Sequence, residues 1–165
     1  FAIVYEKPAD TFAKFEKAGI KIGKIQISAA LRVLIPHEPA ARDLLKVKLL
    51  PFEESTYLHQ VVAKRKDGTM NSYSDLPEAL KVLDTTDEEE WRIHFHVPVF
   101  LDNYGALAST QDQISIVLNE ILKNPFLTNH LEVETYTWEV LPEDTRLSLG
   151  ESISRELAWV IEKLN

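Results

Sequence analysis

Arg92-Ile-His-Phe-His-Val-Pro98 and His130-Leu-Glu-Val-Glu-Thr-Tyr-Thr-Trp138 are the two stretches on which the fold reading turns. In an extended strand alternate side chains share a face, so His94 and His96 point one way, and Glu132 and Glu134 likewise. Each pair interrupts strand-forming apolar residues with groups that are costly to bury without a partner. One well-patterned helix lies between the two stretches, so they are expected to be neighbouring parallel strands of a βαβ unit. Imidazole and carboxylate converging from adjacent strand ends is a way to hold a divalent metal.

Working outward, a helix is expected after Pro8, carrying Phe12, Phe15 and Ala18 on one side and stopping at Gly19. Lys24-Ile-Gln-Ile-Ser28 alternates as a strand, and a loop through Pro36 leads to a helix from about Pro39 to Lys48. Tyr57–Val62 and Thr69–Tyr73 flank Asp67-Gly68, which predicts a β-hairpin insertion over about 56–74. Asp75 can cap a helix containing Leu76, Ala79, Leu80 and Leu83, and the acidic run from Asp87 to Glu90 reads as a solvated approach to the next strand. Ile114, Val117, Leu118, Ile121 and Leu122 recur at helical spacing after Ser109 and Thr110. A last helix over 151–164 is expected to present Ile153, Leu157, Val160, Ile161 and Leu164 to the core.

Strand and helix in alternation imply an α/β chain with a parallel sheet and flanking helices. Three main strands cannot close a barrel, but they fit the last part of a (β/α)8 TIM barrel. The expected organisation is therefore one C-terminal part-barrel over residues 1–165, with the hairpin inserted. Its reactive groups would lie at the carboxyl ends of the strands: Gln26 and Ser28, His94 and His96, Glu132 and Glu134. Tyr136 and Trp138 would continue the glutamate face as a sugar-stacking wall, and His59 is a further candidate for contact with substrate.

Composition narrows the function classes. The chain has 165 residues, 45% hydrophobic and 27% charged, which suits a globular protein with a real core. No apolar run approaches the ~18 residues needed to span a bilayer. Cysteine is absent, so any metal must be held by N and O ligands, and a cytoplasmic location is expected. A net charge of −8, with Lys64-Arg65-Lys66 as the one dense basic cluster, disfavours a nucleic-acid partner and favours a small polar metabolite.

Lys24-Ile-Gln-Ile-Ser-Ala-Ala-Leu31, Tyr57-Leu-His-Gln60, Trp91-Arg-Ile-His-Phe-His-Val-Pro98 and His130 through Pro142 resemble the C-terminal part of the EboE-type metabolite traffic proteins. Those belong to the xylose isomerase-like TIM-barrel superfamily, alongside sugar isomerases, sugar epimerases and endonuclease IV. The resemblance implies that the amino-terminal half of the barrel, with another glutamate ligand, lies upstream of Phe1. It matches His94 or His96 to the superfamily's late-strand histidine and Glu134 to its final-strand glutamate. Gln26 and Ser28 depart from the pattern, since neither is a clear metal ligand.

What the resemblance implies about function is metal-dependent isomerisation or epimerisation of a sugar-like or polyol metabolite. A divalent Zn, Mn or Mg would be held by His94, His96, Glu132 and Glu134, with Glu134 and His96 as the catalytic pair. The rival class is a carrier that binds and hands on a metabolite without chemistry; an endonuclease IV-like nuclease is a third. An open part-barrel exposes two sheet edges, so self-association, or pairing with the missing half, is expected.

Overall fold

A computed structural model describes residues 1–53, 58–104, 107–134 and 148–165. The architecture is mixed α/β, and its main sheet is antiparallel. The elements run α1 (Pro8–Lys17), β1 (Ile25–Ile27), β2 (Ala29–Leu34), α2 (Pro39–Leu49), β3 (Val61–Arg65), β4 (Met70–Tyr73), α3 (Leu76–Leu80) and β5 (Glu88–Val97). They continue with β6 (Asn103–Tyr104), β7 (Leu107–Ser109), α4 (Gln111–Lys123), β8 (Leu131–Val133) and α5 (Leu149–Lys163), and a short 3-10 turn, Leu50–Phe52, follows α2.

Six strands form one sheet in the order β4-β3-β5-β2-β7-β6, every neighbouring pair antiparallel. A separate two-stranded sheet pairs β1 with β8 in parallel, Gln26 opposite Glu132. The expected part-barrel of parallel strands is therefore wrong. The strand carrying His94 and His96 does not neighbour the glutamate strand in either sheet; it lies between β2 and β3. The reason is β2: residues 29–34, taken from the sequence as loop, form a strand that runs back against β5. The 56–74 hairpin is not an insertion on a barrel either, since β3 pairs directly with β5 and carries β4 as the sheet's edge.

β5 organises the core. Trp91, Ile93, Phe95 and Val97 are all essentially buried, as strand alternation directs them to one face. Phe95 meets Phe52 edge-on at 5.0 Å between centroids, and Leu31 and Val33 of β2 stand opposite Ile93 and Trp91. In the acidic run that opens β5, Asp87 and Glu89 are exposed, as a solvated approach requires, but Glu88 is not. Glu88 is buried and accepts hydrogen bonds from Trp91 Nε1 (2.6 Å), the Tyr73 hydroxyl (2.8 Å) and Asn71 Nδ2 (3.1 Å). Burial and the Glu88 charge push the Tyr73 hydroxyl up to about 12.

Along the open edge, Asn71 Oδ1 accepts the Ser72 N–H at 2.9 Å, which removes a donor that another strand would need. The part-barrel edges on which self-association was expected are absent from this topology.

α5 is also seated differently from its apolar pattern. Leu149, Ile153, Leu157 and Ile161 are exposed, whereas Ser152, Glu156 and Val160 are buried. Two contacts set that rotation: the Val99 N–H donates to Glu156 Oε1 at 2.9 Å, and the Arg155 guanidinium stacks over Phe100 at 4.0 Å. An acceptor for a buried amide outweighs the gain from burying part of one more aliphatic side chain. At its start Ser148 and Glu151 form a reciprocal capping box.

Arg42 on α2 ties three chain segments together. Its guanidinium donates to the carbonyls of Pro36 (2.7 Å), Leu83 (2.8 Å) and Thr86 (3.0 Å). Arg42→Ala is expected to cost roughly 2–4 kcal/mol, because three acceptors lose a charged donor. Arg42→Lys should recover less than half of that, since an ammonium lacks the planar fork. Urea unfolding of both variants checks this, and a lysine variant as stable as the wild type would count against the clamp.

Candidate functional site

The face of β5 opposite the core carries Arg92, His94 and His96. On the β2 side the register jumps: Ala30 stands opposite His96, and Leu31 opposite Ile93. His94 and Phe95 are thus two extra residues, a bulge on that side, while the His94 N–H still donates to the Gln60 carbonyl of the β3 segment at 2.7 Å. In a flat strand, side chains two residues apart are spaced about 6.7 Å. The bulge re-aims them, so the two rings approach to 5.0 Å between centroids and Nε2 meets Nε2 at 3.0 Å.

Around this pair lies a cavity of about 180 Å³, below the range of drug-sized ligand sites. Its polar lining is Gln26, Ser28, His94, His96 and Gln113, and its apolar wall includes Ile3, Ile114 and Val117. No Asp, Glu, Lys or Arg is among the described lining residues. The two arginines on the adjoining strands are occupied. Arg32 and Arg92 face each other across β2 and β5, but Arg32 pairs with Asp112 at 3.0 Å. Arg92 pairs with Glu90 at 3.0 Å and lies 3.7 Å over the Tyr5 ring.

The structure thus brings four of the sequence-derived site residues together: Gln26, Ser28, His94 and His96. Glu134 joins them from the end of β8, where its N–H donates to the Ile27 carbonyl at 3.0 Å and its charge reaches the His96 ring. Glu132 goes elsewhere, forming an exposed ion pair with Lys24. His59 is buried against Phe95, 5.0 Å between ring centroids, and so lies on the core face rather than at the cavity. Tyr136 and Trp138 lie outside the described residues.

Among the described residues no three His, Asp or Glu side chains come close enough to hold a metal ion, so the expected set of His94, His96, Glu132 and Glu134 is not assembled. Nothing in the residue pattern pointed to Ala30, whose small side chain opposite His96 leaves room for the cavity, because its strand read as loop. Ile114 and Val117 were read correctly as the apolar face of α4, but not as cavity wall.

Burial, then the neighbouring His94, lowers the His96 pKa below the usual 6.5, and Glu134 acts against that shift. A histidine that resists protonation in the folded state contributes its full stability above the unfolded value near 6.5. That contribution is lost as pH falls from 6.5 through the lowered folded value. The slope should stay below about 1.4 kcal/mol per pH unit for one proton. Urea midpoints at pH 7.5 and 5.5 are expected to show the loss in the wild type and a smaller one in His96→Gln. An equal loss in both proteins would exclude His96 as its source.

The chain matches no family model, no curated protein and no solved structure. Among the described residues no helix is long and apolar enough to cross a membrane.

Proposed function

We propose that this protein binds a small, uncharged, hydroxyl-rich metabolite, sugar-like or polyol, in the cavity centred on His94 and His96. The convergence of Gln26, Ser28, His94 and His96 on one small cavity carries this reading. Amide, hydroxyl and imidazole each donate and accept hydrogen bonds, which suits alcohol groups presented in several directions. An anionic ligand would need a cation, and none of the described lining residues is Lys or Arg. The apolar wall gives the carbon skeleton a surface to displace water from.

Metal-dependent isomerisation, expected from the resemblance, needs ligands that the described residues do not assemble. The carrier reading has the support of the cavity's size and neutrality. A ligand that binds only the folded protein raises its melting temperature. Screening tetroses, pentoses and their polyols by thermal shift, with calorimetry on the hits, is expected to find ligands whose affinity falls about tenfold or more in Gln26→Ala, the loss of one or two well-made hydrogen bonds. Ala30→Val, which narrows the cavity opposite His96, should weaken them too. Stabilisation by zinc alone, with no response to any polyol, would refute the reading.

A further inference from the structure

The seating of α5 leaves an apolar ridge in solvent. Leu149, Ile153, Leu157 and Ile161 follow one another at i, i+4 spacing, with exposure from 44% at Ile153 to 61% at Leu149. One residue further on, Gly150, Ser154 and Ala158 form a parallel row that is also exposed. Their small side chains make that row a furrow beside the ridge. At about 100° per residue the two rows share roughly half of the helix circumference. No Asp, Glu, Lys or Arg falls within that half; Glu151, Arg155, Glu156, Glu162 and Lys163 all lie on the other. Glycine costs a helix stability relative to alanine, yet the protein's own packing does not require one here. A Cβ placed on Gly150 meets no atom within 4 Å.

We infer that this face of α5 is the interface of a homodimer, in which the ridge of each copy lies in the furrow of the other. Rows at i, i+4 spacing interdigitate when two helices cross at about −50°. Ridge and furrow on one helix make the surface complementary to itself, as a twofold axis demands. The pairing is antiparallel. Leu149 then faces the partner's Ile161 and Ile153 faces the partner's Leu157, so every leucine of the ridge meets an isoleucine. Glu162 of each copy comes to the amino-terminal turn of the other helix, where the dipole favours a carboxylate. A parallel pair would instead set Glu151 beside Glu151 and Glu162 beside Glu162. A net charge of −8 makes two copies repel, and they meet at least cost where the surface carries no charge. The helix has 15 residues and is about 22 Å long, so a single helix pair stays at the low end of specific interfaces, below about 1,200 Å². The dimer is accordingly weak, with a dissociation constant of roughly 10–100 μM.

Sedimentation equilibrium across concentrations spanning that range is the test, with urea midpoints on dilute protein to show that each variant folds. The wild type is expected to pass from monomer to dimer. Leu157→Glu puts a charge in the contact and should raise the dissociation constant at least about tenfold. Ser154→Leu adds apolar surface but fills the furrow, and it too should weaken the dimer by about tenfold. A patch that is merely sticky would associate more strongly in that variant. Leu44→Glu, at an exposed apolar residue of α2, should leave association unchanged. Because the chain has no cysteine, introduced thiols report the register directly. Ile153→Cys mixed with Leu157→Cys should form a disulfide between copies more readily than Leu149→Cys does with itself, since only the first pair stands face to face. A monomer at every concentration would overturn the dimer. So would stronger association in Ser154→Leu, loss of association in Leu44→Glu, or preferential self-linking of Leu149→Cys.

Discussion

The seating of β5 between two antiparallel neighbours is the constraint from which the rest follows. Once both edges of that strand are paired, its ten residues have no freedom to turn over. Trp91, Ile93, Phe95 and Val97 must fill one side, and Arg92, His94 and His96 the other. A one-residue slip would drive imidazoles into the aromatic core. The bulge opposite Ala30 and Leu31 keeps this alternation because it inserts an even number of residues, while it bends the strand enough to bring two rings into contact.

What surrounds the pair is arranged by charge bookkeeping rather than by shape alone. Arg32 and Arg92 would repel one another directly across the ladder, and each is neutralised by a carboxylate, Asp112 or Glu90. With Glu132 satisfied by Lys24, the described cavity lining carries amide, hydroxyl and imidazole groups, and Glu134 acts on it from beside His96. Glu88 shows the same principle on the core side, where a carboxylate is buried only because three donors meet it.

Local patterns were legible where one face of a single element settles them. The α4 stripe, the Asp67-Gly68 hairpin and the Asp75 cap, which accepts the Leu76 N–H at 2.8 Å, all follow from spacing or from one side chain. β2 was not legible, because Ala29-Ala30 carries no alternating signal and Pro36 made the stretch read as loop. That single omission reversed the sheet. A period of two is common to parallel and antiparallel strands, so direction comes from counting the strands between, and one missing strand changes the count. α5 failed for another reason: helical spacing identifies an apolar face but cannot foresee a buried amide at Val99 that claims Glu156.

The sequence by itself determined that His94 and His96 share a face and that Gln26 and Ser28 belong together, since strand geometry is local; the same rule applied to Glu132 and Glu134 stops at Val133, where β8 ends. Which of these faces meet was decided only by the tertiary structure. The parallel pairing of β1 with β8 carries Glu134 toward His96, an ion pair draws Glu132 to Lys24, and the opposite face of the sheet takes His59. Convergence depends on long-range strand order and on competition among partners, and neither is written in the spacing of residues along the chain.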